Sequence, residues 1–289
     1  MAFLFEKNNN TITVTGYQGE VGDLQIPEEL DGLPVRRIAH SAFANRSDLA
    51  YVSLPSSLRC LERFAFYSCR NLKRVSLSDG ITDYYDGAFR QCRGLKEIEL
   101  DLRGGNYMLL RDFLADSDAI LRFRIRLPEG SAALTFPDYV AEYEEDTRAR
   151  ALHLHIEGMG YAFRECVTRS GIDFRGYDRL FDRIRYIDRQ LAAQIAMDRL
   201  CLPAGLGSEA GKGMEEFLRE EGETAIGLVF KEEQREWLCL LTERQLLSAE
   251  AMQAGLRLAA EQKKTEMAAI LMNASAEETA GSGKNVFCL

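Results

Sequence analysis

Apolar and polar positions in the first hundred residues fall into a register that repeats every 23 residues. Ala42-Phe43, Ala65-Phe66 and Ala88-Phe89 coincide, followed by Leu49, Leu72 and Leu95, then Val52, Val75 and Ile98, then Leu54, Leu77 and Leu100. Within one repeat, Val75 and Leu77 alternate with Arg74 and Ser76, the period of two that predicts a strand with one buried face. A turn follows each strand (Pro55-Ser-Ser, Ser78-Asp-Gly), and a second short extended piece leads to the Ala-Phe pair. A fixed period in the twenties predicts a solenoid, in which each coil covers the apolar face of the next. Phe43, Phe66 and Phe89 then form an interior column at the strand spacing of about 4.8 Å.

Downstream the register decays. Phe113 falls 24 residues after Phe89, but its Ala is gone, so 101–127 is expected to be a degenerate fourth coil that caps the array, with a strand at 121–127. After Pro137 the pattern changes: 150–157 alternates like a strand, and helical spacing then runs on. Helices are predicted at 160–168, 174–186, 188–200, 210–221, 223–231, 233–241, 248–261 and 264–273. A fainter repeat relates 228–241 to 258–271 at an offset of 30, predicting stacked helix pairs with one buried face each. From about 274 the chain is small, polar and Gly-Ser rich, and a disordered tail is expected.

The segment Leu54-Pro-Ser-Ser-Leu-Arg-Cys-Leu-Glu-Arg-Phe-Ala-Phe-Tyr-Ser-Cys-Arg-Asn-Leu-Lys-Arg-Val-Ser-Leu77 resembles the BspA-like leucine-rich repeat, a bacterial family named for a cell-surface adhesin. The likeness spans roughly residues 11–127, and Thr13–Ile38 is similar to the strand and Asp-Gly hairpin that open such arrays. It implies a role in protein recognition or adhesion and no catalytic residues. The second copy of the C-terminal repeat, Leu258-Ala-Ala through Ile270-Leu271, resembles the helix pair of an ankyrin repeat without its Thr-Pro-Leu-His opening. The expected fold is therefore α+β. A leucine-rich repeat β-solenoid with an N-terminal cap occupies 1–136, and a mostly helical domain with ankyrin-like pairs occupies 137–289.

Composition narrows the function. Of 289 residues, 46% are hydrophobic and 28% charged, the balance of a globular chain. A net charge of −9 argues against a generic nucleic-acid or anionic-membrane surface, which needs clustered Lys and Arg. The N-terminus lacks the apolar stretch of a secretory signal, and no segment approaches the roughly 20 apolar residues of a membrane helix. A cytoplasmic location is expected, with the cell surface as the alternative if a leader has been removed. Seven cysteines without a C-x-x-C pair read as buried thiols in a reducing compartment. Cys69 and Cys92, one repeat apart, would also lie close enough for a bridge between coils, with Cα atoms within about 6 Å.

Candidate chemistry is sparse. His153, His155 and Glu157 share one face of a strand and could begin a metal site, although no fourth ligand is evident and an exposed polar face explains them as well. Gly205–Gly213 and Gly281-Ser-Gly-Lys-Asn fail the spacing of a phosphate-binding loop. Three histidines without a Ser or Cys elbow offer no triad, and Val286-Phe-Cys-Leu is no prenylation box. No cofactor is expected. The outward strand positions are the stronger candidates for binding a protein: Tyr51, Arg74 and Glu97 in one ladder, Ser53, Ser76 and Glu99 in another, with Lys73 and Lys96 beside them. The same residues also read as an ordinary solvated face. Three functions compete: a non-catalytic interaction scaffold, an adhesin lacking its leader, and an enzyme or regulatory subunit with a site around 137–190. Partner identity and oligomeric state are not encoded in these patterns.

Overall fold

The computed structural model describes residues 2–146 and 151–282, with the backbone only at 143–146, 151–154 and 277–282. Two compact units emerge, Met1–Tyr177 and Asp178–Leu289. The first begins with β1 (Ala2–Asn8) and β2 (Thr11–Gln18), an antiparallel hairpin, followed by β3 (Asp23–Gln25). Next come β4 (Glu29–Leu30) and β5 (Leu33–Ile38), joined through Asp31 and Gly32. Both linking residues take positive φ (51° and 72°), as a two-residue hairpin turn of this kind requires.

The coils then supply short strands alternately to two sheets. β6 (Tyr51–Ser53), β8 (Arg74–Ser78) and β10 (Glu97–Asp101) join one sheet, while β7 (Cys60–Leu61) and β9 (Asp83–Tyr84) join the other. Parallel pairing places Leu24, Val52, Val75 and Ile98 side by side, all at most 2% exposed. Burying each such side chain stabilises the coil by about 1.5–3 kcal/mol, which holds the register that the 23-residue offset predicts.

The Ala-Phe corner is built from an unusual backbone. Ser41, Phe64 and Gly87 have φ of 56°, 61° and 78°, and Asn45, Ser68 and Gln91 have φ of 61°, 59° and 63°. Two left-handed residues per coil thus bracket the Phe, and the turn between them hydrogen-bonds onto the next coil: the Phe43 amide donates to the Ala65 carbonyl and the Phe66 amide to the Ala88 carbonyl, both at 2.8 Å. The rings stack face to face, Phe43 on Phe66 at 5.0 Å and Phe66 on Phe89 at 5.1 Å. Cys69 and Cys92 are free thiols that donate to the Phe43 and Phe66 carbonyls, each at 3.1 Å. The neighbouring Cys69 thiol and burial together push the Cys92 thiol above its ordinary range.

The fourth coil departs from its expected form. Its corner is replaced by a helix, α1 (Tyr107–Ala115), which turns Leu109, Leu110, Phe113 and Leu114 inward. Phe113 nevertheless lies 5.0 Å from Phe89, so the ring keeps its place in the column while the backbone beneath it changes. β11 (Leu121–Leu127) then pairs parallel with β10, as the alternation at 121–127 predicts, and β12 (Gly130–Phe136) closes the sheet antiparallel to β11. A second hairpin, β13 (Val140–Asp146) with β14 (Ala151–Glu157), precedes α2 (Gly160–Glu165) and the start of α3 (Phe174–Ile187). The division between units falls inside α3, some forty residues after the change of period at Pro137. The reason is chemical: the Tyr177 hydroxyl donates to the Thr135 carbonyl and accepts from the Thr135 amide, tying the first turn of α3 to the edge of β12.

The second unit is helical: α4 (Arg189–Cys201), α5 (Ser208–Glu220), α6 (Gly222–Lys231), α7 (Arg235–Glu243), α8 (Ala249–Glu261) and α9 (Thr265–Ser282). α4, capped by Asp188, is buried on nearly every side among α5, α6 and α7. Its charged residues are paired accordingly: Arg199 grips Asp178 through Nε at 2.8 Å, and Asp198 accepts from the Trp237 indole at 3.0 Å. The offset-30 repeat is real in three dimensions. α6 packs on α8 and α7 on α9. Glu233 and Lys263 end the first helix of each pair at φ 55° and 56°. The following amides, Gln234 and Lys264, donate back to Val229 and Ala259. Gly255 lets α8 approach, since a Cβ there would lie 2.9 Å from both Ile226 and Leu271. Where a disordered tail is expected from about 274, α9 runs to Ser282, and residues 283–289 lie outside the described part.

Candidate functional site

Each outward ladder that the alternation predicts is formed. Backbone register sets Tyr51 beside Arg74 and Arg74 beside Glu97, and likewise Ser53, Ser76 and Glu99. Lys73 and Lys96 precede their strands and are exposed, as is Arg74; the remaining five are half-buried. The Arg74 guanidinium lies over the Tyr51 ring, 4.5 Å from its centroid, a cation–π contact worth about 0.5–1 kcal/mol at an exposed site.

Both ladders run further than the repeat alone shows. Asp23 and Gln25 extend them at one side through β3, and Arg122 and Arg124 at the other through β11. The strand at 121–127 already alternates Leu, Phe and Ile with three arginines, so its outward residues were visible in the sequence. Three acids of β10, Glu97, Glu99 and Asp101, each face an arginine of β11: Arg122, Arg124 and Arg126. The first of these pairs closes as an ion pair at 3.2 Å around a buried Arg122. Asp101 also meets Arg103, whose guanidinium holds its carboxyl below the usual range. Opposite charges on adjacent strands fix register and neutralise that side of the face. Arg74 also stands beside Glu97 in the β8–β10 register, but among the described residues neither it nor Lys73 or Lys96 closes an ion pair. The site is therefore a basic strip beside an aromatic ring, on a sheet whose backbone is fixed.

Residues 20–107 match the family model for the BspA type leucine-rich repeat region, in six copies. Among solved structures, a leucine rich cell surface protein from Faecalibacterium prausnitzii is similar at 27% identity over 36% of this chain and 32% of its own, with a TM-score of 0.30. A T. pallidum leucine rich repeat protein is 24% identical over 35% of this chain and 72% of its own (TM-score 0.24). A leucine-rich repeat protein from Bacteroides ovatus is 16% identical over 35% and 47% (TM-score 0.22). The chain spans about a third of the length of the Faecalibacterium protein. No curated protein matches it. The BspA-type repeats hold all of the ladder residues named from the sequence.

The other candidates fare differently. His155 and Glu157 lie on β14 with their side chains exposed and 3.2 Å apart, while the side chain of His153 lies outside the described residues. Among the described residues no three potential ligands gather as a metal would need. Of Gly205–Gly213, the first three residues turn into α5, with Gly205 at φ 69°, and the rest form its first turns. No helix among the described residues is long and apolar enough to cross a membrane.

Proposed function

We propose that this protein is a non-catalytic interaction scaffold whose BspA-type sheet binds the acidic surface of a partner protein. The observation that carries the reading is the exposed trio Lys73, Arg74 and Lys96, in no ion pair among the described residues, beside Tyr51 and next to a β10–β11 pair whose charges are matched. An aromatic ring with an arginine is the composition that dominates binding energy at protein interfaces. Strand backbones position these side chains before binding, which lowers the entropy cost of association. The helix pairs α6–α7 and α8–α9, with their offset-30 repeat, support an ankyrin-like stack as a second recognition element. A cytoplasmic setting fits the thiols of Cys69 and Cys92, which serve as hydrogen-bond donors between coils.

The test is capture from native lysate by the full chain and by a Tyr51→Ala/Arg74→Glu variant, followed by mass spectrometry. A stoichiometric partner retained by the wild type and reduced at least tenfold by the variant is the expected result. Equal retention by both would exclude this face. Binding confined to cell surfaces would favour an adhesin instead.

A further inference from the structure

A pocket of about 450 Å³ opens beside the last Ala-Phe corner, lined in part by Arg90, Gln91, Arg93, Asp118 and Tyr139. Its origin lies in the hydrogen-bond register of the corners. In each earlier coil the second left-handed residue donates its amide to the following coil: Asn45 to the Tyr67 carbonyl at 2.7 Å, Ser68 to the Arg90 carbonyl at 2.9 Å. Gln91 is the next residue in that series and has the same φ. The element that follows it is α1, and among the described residues no α1 carbonyl accepts from the Gln91 amide. The corner amides of the last coil therefore need other acceptors. Asp116, at the end of α1, supplies two: its carboxylate accepts from the Gly87 amide at 2.8 Å and the Phe89 amide at 3.2 Å. Tyr84 donates to the same carboxylate. Among the described residues the Gln91 amide makes no hydrogen bond, and Gln91 lines the pocket.

We propose that this pocket binds an extended peptide segment of a partner protein, whose main-chain carbonyl accepts from Gln91 as a further coil would. Main-chain recognition of this sort is strand addition applied to a solenoid corner. The lining favours a peptide over a simple anion. Arg90 and Arg93 form no ion pair among the described residues, yet Asp86 and Asp118 line the same pocket, so an anion would meet both signs. A peptide presents its carbonyl to the amide and side chains of either charge to the rim. The walls are fixed beforehand. Arg164, buried, donates to the Ser117, Ala119 and Pro137 carbonyls, and its guanidinium packs 4.8 Å from the Tyr139 ring centre. The volume lies in the range of roughly 300–1,000 Å³ that holds small ligands or a few residues. This site shares no residue with the Tyr51–Arg74 face and stands or falls apart from it.

The experiment pans a random heptapeptide display library on the full chain, then titrates enriched synthetic peptides by fluorescence anisotropy and amide NMR. Wild type is compared with Ala119→Trp, which fills the pocket from an exposed position, with Arg90→Ser/Arg93→Ser, and with Arg74→Glu as the control on the other face. The expected result is at least a tenfold weaker Kd in both pocket variants, an unchanged Kd in Arg74→Glu, and a downfield shift of the Gln91 amide. Failure to enrich any peptide, equal binding by Ala119→Trp, or loss confined to Arg74→Glu would overturn the proposal, and the last would favour the other face.

Discussion

Arg46 and Asp48 fasten the N-terminal cap to the first coil. The guanidinium donates to the Tyr17 carbonyl at 3.0 Å and the Gly19 carbonyl at 2.6 Å, and meets Asp48 through two hydrogen bonds. Asp48 in turn accepts from the Val21 amide at 2.9 Å. The Arg46 hydrogen bonds pull the Asp48 carboxyl from 3.8 down to about 2 against a smaller opposing effect of burial. Its folded pKa is below its unfolded one, so its stabilisation is fully present above about pH 4 and disappears as pH falls through 2. The pair is 21% exposed, and solvent screening reduces the effect to about 1–2 kcal/mol. Urea denaturation at a series of pH values should show the gap between wild type and Asp48→Asn shrinking by that amount from pH 4 to 2. A gap independent of pH would mean that the carboxylate charge contributes nothing. Nothing in the sequence marks these two residues, nor Asp116, Arg164 or Tyr177. Their long-range partners lie 27 to 47 positions away and follow no period, so no spacing announces them.

At the scale of elements, the aromatic column does the joining. Phe66, fully buried, lies between Phe43 and Phe89 with planes tilted by only 4° and 2°. Phe66→Ala removes a ring that touches both neighbouring coils, and neither coil can collapse into the gap without breaking its own corner hydrogen bonds. The expected loss is about 3–5 kcal/mol, read as a lower midpoint in chemical denaturation. A loss under 1 kcal/mol would show that the stack repacks. Strands and helices were legible wherever one face is buried, because burial imposes a period of two or 3.6. α1 was missed, as were β12 and β13. Leu109, Leu110, Phe113 and Leu114 have helical spacing, yet the 24-residue step to Phe113 read as one more coil. The repeat preserves where the ring sits, and a helix can carry a ring to the same place. The candidate face was legible for the same reason as the strands. The pocket was not, since part of its wall comes from α1 and the turn after it, which follow no period.

For the whole molecule, the change of period at Pro137 marks the end of repetition and not the end of the folding unit. A solenoid exposes its last strand unless something covers it, and an uncovered edge invites pairing with another chain. Here β11 is covered by antiparallel β12, and the β12 edge is met by Tyr177. The aromatic column follows the same route: Phe113, Phe123, Phe136, Tyr177 and Phe163 continue it edge to face beyond the stacked rings. The closing residues therefore belong to the first unit although their sequence no longer repeats. Tyr177→Phe tests this division. It keeps the ring in the column and removes only the hydroxyl that serves both backbone groups of Thr135. Buried hydrogen bonds lost in this way cost about 1–3 kcal/mol, so the variant should unfold at lower urea with faster exchange of the Thr135 amide. Retained stability with unchanged Thr135 protection would mean that the ring alone closes the solenoid.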